Sequence, residues 1–175
     1  DEKIAAMMTL ARAKVLIAYG GEGDLGYWSK ALRLRALVPT LTTVLRVAPH
    51  DEATGTTPAL PPGVLDLAAR HQHPGDHLVS GRCIVATDIA AYFHTGGTTG
   101  APKLARHSHG AQVFTAWGSV QMQGIRPEDV GINGYPLFHV AGVLPGSLAA
   151  LSAGVETIIP TTGLFRNREV IANYW

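Results

Sequence analysis

Cysteine is almost missing from this sequence: Cys83 is the single one in 175 residues. That excludes an internal disulfide and any metal site built from cysteines alone, and it fits a reducing, cytoplasmic setting. Charge is scarce at 15% and balanced in sign, with 14 Lys and Arg against 13 Asp and Glu. A net charge of +1 argues against a nucleic-acid or membrane-surface partner. No stretch approaches the ~18–20 uninterrupted apolar residues of a membrane span, and no basic segment followed by an apolar core opens the chain. Internal repeats and low-complexity tracts are likewise lacking. With 46% hydrophobic residues, the chain suits one globular domain with a core and is too short for two ordinary ones. It begins at Asp1 and stops at Trp175 inside a helix-like pattern over residues 167–175, so a piece of a longer protein is expected.

The apolar runs alternate in type. Ile4, Met7, Met8 and Ala11 share one helical face, and the apolar run over residues 14–19, ending at Gly20-Gly21, predicts a buried strand. Ser29 is placed to cap a helix that runs to Leu37 and stops at Pro39, before a β-branched strand over 42–47. Residues 48–63, rich in Pro and Thr, predict a surface loop, and residues 64–70 a short helix. Strands are expected over 89–93 and 103–107. They are followed by a helix with Ser108 as cap, Val113, Phe114, Trp117 and Val120 as a core stripe, and Gly124 as stop. A short strand over 130–132, a small-residue helix over about 140–153 and a strand over 156–159 complete the pattern. The fold class is therefore α/β, a mostly parallel sheet flanked by helices, with ligands at the carboxyl ends of strands. The expected organisation is a single α/β subdomain over residues 1–175.

Thr95-Gly96-Gly97-Thr98-Thr99-Gly100-Ala101-Pro102-Lys103 lies at such a strand end. Glycines let successive N–H groups converge on phosphate oxygens, the threonines add hydroxyls, and Lys103 adds a full charge, so the segment reads as a polyphosphate cradle. A flexible turn has a similar composition. A P-loop fails on spacing, because Pro102 precedes Lys103, Leu104 follows it, and the next segment is strand-like rather than helical.

The run from Asp88-Ile89-Ala90 through Phe93-His94-Thr95 to Lys103, then Ser108-His109, resembles the signature of the AMP-forming acyl-CoA synthetases of the adenylate-forming superfamily. Pro136-Leu137-Phe138-His139-Val140-Ala141-Gly142 resembles the next motif of that family, in the right order. The clear matches cover residues 88–142. Gly96 stands where many members carry Ser or Thr, and Leu104 where many carry Gly; a Gly at the first place also occurs among fatty-acyl members. The resemblance implies that a carboxylic acid, fatty by this pointer, attacks ATP to give acyl-AMP and pyrophosphate, and that the thiol of coenzyme A then displaces AMP. It further implies that Thr95, Gly96, Gly97, Thr98, Thr99, Gly100 and Lys103 hold phosphates, with Lys103 also catalytic. His139 would line the acyl pocket and gate the thiol. Mg²⁺ is implied with ATP, but its ligand, the ribose contacts and a catalytic lysine on a C-terminal domain are expected outside this chain, which by itself should be inactive. A non-catalytic nucleotide-binding or interaction module, and an adenylating enzyme serving a carrier protein or an oxidative light reaction, remain open alternatives.

Other candidates are weaker. His71, His73 and His77 around Asp76 have metal-like spacing but sit in a Pro-Gly turn with no Cys or distant acid, so an exposed polar turn is the reading preferred and no metal ligand is assigned. His107 and His109 would share a face on a strand, and the resemblance gives His109 a structural role at a strand-to-helix junction. Cys83 carries no sign of a nucleophile. Small residues from Ala141 to Ala153 suggest close helix packing, or room for an apolar tail.

Overall fold

The computed structural model describes residues 1–20, 26–49, 59–68, 78, 80–95, 103–159 and 172. The histidine-rich turn, the Gly/Thr segment between Thr95 and Lys103, and all but Ala172 of the helix expected over 167–175 lie outside these residues. The chain divides into two units, residues 1–82 with 94–104, and residues 83–93 with 105–175.

In the first unit, α1 (Glu2–Leu10) leads into β1 (Val15–Tyr19), α2 (Tyr27–Leu37), β2 (Thr43–Val47) and β3 (Val64–Asp66). The three strands form a parallel sheet in the order β1-β2-β3, with Val15 opposite Thr43 and Val44 opposite Val64. Val44, Ala31 of α2 and Val64 make the core, with Leu16, Ala18, Trp28, Leu32 and Leu60 packed against it.

Three expectations need correction in this unit. The segment after Pro61-Pro62 has helical composition, yet Val64–Asp66 is a strand, because Gly63 in the left-handed region (φ 78°) turns the chain onto the open edge of β2. The Val44 N–H donates to the Gly63 carbonyl and the Leu67 N–H to the Arg46 carbonyl, extending that ladder. Ser29 is not the cap of α2. Gly26 is (φ 73°), and the Ser29 hydroxyl donates back to the Gly26 carbonyl from inside the first turn. Finally, β1 is covered on one side only: Leu16 and Ala18 pack inward while Val15, Ile17 and Tyr19 are exposed. The stop of α2 is as expected, since Val38, ahead of Pro39, is extended.

Arg46 is an inclusion that a strand of apolar and β-branched residues does not announce. It shares the inner face of β2 with Val44 and is only 4% exposed. Its guanidinium meets Asp66 at 3.5 Å and donates to the Gly20 carbonyl at 3.2 Å, and the other Asp66 oxygen accepts from the Ala68 N–H at 2.9 Å.

The second unit holds most of a two-stranded sheet of β4 (Ile89–Thr95) and β5 (Lys103–Ser108), whose ends at 94–104 group with the first unit. There follow α3 (His109–Gln123), β6 (Val130–Ile132), a helical stretch over residues 140–153 and β7 (Glu156–Ile158), with β6 and β7 parallel. The limits of α3 are those its sequence predicts. The Ser108 hydroxyl accepts from the Ala111 N–H at 3.2 Å, and Gly124 ends the helix in the left-handed region (φ 63°).

The expected core stripe on α3 is not one. Only Ala116 is buried, whereas Val113, Phe114 and Trp117 are exposed, Phe114 by 69%. Spacing marks an apolar face without saying what covers it. Among the described residues, no helix is long and apolar enough to cross a membrane.

Candidate functional site

Strand β4 runs to Thr95 and β5 begins at Lys103, so the two described ends of the Gly/Thr segment are held by paired strands. The Thr95 hydroxyl donates to the Lys103 carbonyl at 3.5 Å, a long bond that ties the two ends together. Both side chains are exposed. Gly96, Gly97, Thr98, Thr99 and Gly100 lie outside the described residues.

Behind these strands, the Phe93 and His107 rings meet edge to face with centroids 5.0 Å apart. His109 does not share a strand face with His107, because it is the first residue of α3. Its N–H donates to the Asp88 carbonyl at 3.0 Å, and the Gly110 N–H donates to that of Ala86 at 2.8 Å. Cys83 is exposed and free.

His139 stands immediately before the 140–153 helical stretch. That stretch has three pieces: α4 (Val140–Val143), a π-helical turn over Leu144–Leu148, and α5 (Ala149–Ala153). Pro145 has no N–H for the Ala141 carbonyl, and the Ala149 N–H reaches back to the Leu144 carbonyl at π spacing. The imidazole is exposed, and its Nδ1 accepts from the Ala141 N–H at 3.2 Å. His139 therefore serves as an N-cap.

The small residues mostly serve packing. Gly142, Ala149 and Ala150 are buried, and a Cβ on Gly142 would run into the Pro136 carbonyl oxygen. A cavity of about 350 Å³ between helices is lined by Val113, Ala116, Trp117 and Val120 of α3 with Leu148 and Ser152.

Sequence reasoning passes over Asn133, which is 1% exposed. Its Nδ2 donates to the Gly142 carbonyl and to the Ser147 hydroxyl, both at 2.9 Å, and its Oδ1 accepts from the Tyr135 N–H at 3.2 Å. The only signal in sequence is a polar residue directly after an apolar strand.

The profile of the AMP-binding enzyme family matches residues 1–174. The chain belongs to that family. Among curated relatives, this AMP-binding enzyme is 27% identical to marinolic acid–CoA ligase of Pseudoalteromonas sp. (strain SANK 73390), over 98% of the chain and 26% of the relative. It is 34% identical to the human long-chain fatty acid transport protein 3, over 72% of the chain and 19% of the relative. The chain thus spans about a quarter or less of the length of these relatives. Among solved structures, the apo form of MbtA from Mycobacterium smegmatis superposes with a TM-score of 0.71 at 24% identity, covering 92% of this chain and 27% of that one, which establishes the α/β fold.

Proposed function

We propose that the chain is a subdomain, residues 1–175, of an AMP-forming acid–thiol ligase, and that it carries the segment holding the polyphosphate of ATP. In the first step a carboxylate oxygen attacks the α-phosphorus and pyrophosphate leaves; in the second the thiol sulfur of coenzyme A attacks the acyl carbon and AMP leaves. The acid is already a nucleophile, so catalysis of the first step is positioning and charge stabilisation. Thr95, Gly96, Gly97, Thr98, Thr99, Gly100 and Lys103 contact the phosphates, with Lys103 offsetting charge on departing pyrophosphate. His139 lines the path of acid and thiol. The fatty character of the acid rests on Gly96 and on the similarity to a fatty acid transport protein.

The observation that carries the reading is the pairing of β4 with β5, closed by Thr95 and Lys103 around a Gly/Thr segment, in a chain of the AMP-binding family. The uncovered faces of β1 (Val15, Ile17, Tyr19) and α3 (Val113, Phe114, Trp117) support a subdomain whose partners lie in a longer protein, since apolar patches of this kind mark interfaces. Mg²⁺ accompanies ATP in this reading, and no residue of this chain is assigned as its ligand. One exposed, free cysteine goes with a cytoplasmic setting.

The test is acid-dependent exchange of pyrophosphate into ATP by the complete protein. Lys103→Ala and Thr98→Ala should each slow it by about 10–10³-fold, the range for losing a contact to developing charge. Full exchange in both variants would remove the segment from the reaction. The chain of 175 residues alone should give no acid-dependent exchange.

A further inference from the structure

Residues 133–142 form a closed ring of backbone, and Asn133 is its clasp. The Asn133 N–H donates to the Ile158 carbonyl of β7 at 2.9 Å, which fixes where the ring begins. Its side chain then holds the start of the turn through the Tyr135 N–H and the first helical turn through the Gly142 carbonyl. The Ser147 hydroxyl donates to the same Gly142 carbonyl at 2.8 Å while accepting from Asn133, so both amide protons and one lone pair of the asparagine are used.

The neighbouring backbone is shaped to admit this side chain. Gly146, in the π-helical turn, faces Asn133 so closely that a Cβ there would collide with the amide. A buried amide engaged at both protons and at its oxygen specifies one arrangement, because any other leaves polar groups without partners in a dry interior.

His139 hangs from this ring. Its N–H donates to the Pro136 carbonyl, its carbonyl accepts from the Gly142 N–H, and its Nδ1 accepts from the Ala141 N–H. Because Nδ1 accepts, the ring proton sits on Nε2, and the exposed edge of the imidazole is an N–H donor. We propose that Asn133 is a positioning residue: by clasping residues 133–142 it holds His139 in the tautomer and direction that present Nε2–H as a hydrogen-bond donor to the acid substrate. The part of this that names the acid rests on the function proposed above. Asn133 touches no reacting atom and acts through His139.

The experiment uses the complete protein, ¹⁵N-labelled at histidine, with Asn133→Ala and Ser147→Ala as variants. Long-range ¹H–¹⁵N spectra of the wild type should show His139 with an unprotonated, hydrogen-bonded Nδ1 and a protonated Nε2. Asn133→Ala should convert this into a mixture of tautomers. It should also raise KM for the acid about tenfold, the effect of one misaligned hydrogen bond, while KM for ATP changes less than about twofold. Ser147→Ala removes one arm and leaves the Asn133–Gly142 bond, so smaller shifts in the same two readouts are expected, which keeps the test available if Asn133→Ala does not fold.

A folded Asn133→Ala protein with the wild-type imidazole spectrum, or with unchanged KM for the acid, would overturn the proposal. So would a wild-type spectrum in Ser147→Ala where Asn133→Ala is unfolded. Absence of acid-dependent exchange in the wild type would refute the proposed function instead, and the imidazole spectra would still decide whether Asn133 sets the tautomer of His139.

Discussion

Asp66→Ala tests whether the β1-β2-β3 sheet encloses a dry ion pair. Arg46 is 4% exposed, and its guanidinium meets the Asp66 carboxylate at 3.5 Å with the Gly20 carbonyl at 3.2 Å as a further acceptor. Removing one member of a buried pair costs about 3–5 kcal/mol, because the remaining charge stays out of water after losing an ion-pair contact. The lower figure applies, since the pair is long and the Gly20 carbonyl still accepts from Arg46. The same change removes the acceptor of the Ala68 N–H, which is near the surface and adds little. A loss of about 3 kcal/mol, with a urea slope of about 2 kcal/mol per M, moves the unfolding midpoint down by about 1.5 M. The double change Arg46→Met with Asp66→Leu should recover most of that loss, because apolar packing replaces two desolvated charges. Urea unfolding followed by circular dichroism reads both variants. A loss of less than about 1 kcal/mol for Asp66→Ala, the range of exposed pairs, would mean that water reaches Arg46 and the reasoning is wrong. A double variant no better than the single one would refute it equally.

Further outcomes are expected. Ser108→Ala removes the acceptor of the Ala111 N–H at the start of α3 and should cost about 1 kcal/mol in urea unfolding, with no effect if water replaces the hydroxyl fully. His139→Ala should change acyl-length preference or thioester formation more than ATP binding; unaltered acyl profile and half-reactions with reduced stability would make it a purely structural cap.

The order and type of most elements are legible in the amino-acid sequence, because those depend on neighbours along the chain. Ser108 and Gly124 bound α3, Pro39 stops α2, and the apolar runs mark β1, β2, β4 and β7. It also located the Gly/Thr segment and the His139 motif, since both are contiguous. Contacts between distant segments set the rest. Residues 64–66 became a strand because β2 offered an open edge, against the local preference for helix. The faces of β1 and α3 were legible as apolar, but whether an apolar face is covered depends on what packs over it, and Val15, Ile17, Phe114 and Trp117 are exposed. Arg46 and Asn133 are polar letters in unremarkable places, and their roles arise from partners 20 residues away at Asp66 and 9 and 14 residues away at Gly142 and Ser147. A buried polar group is stable only where distant segments bring it donors and acceptors, and that meeting exists only in the folded chain.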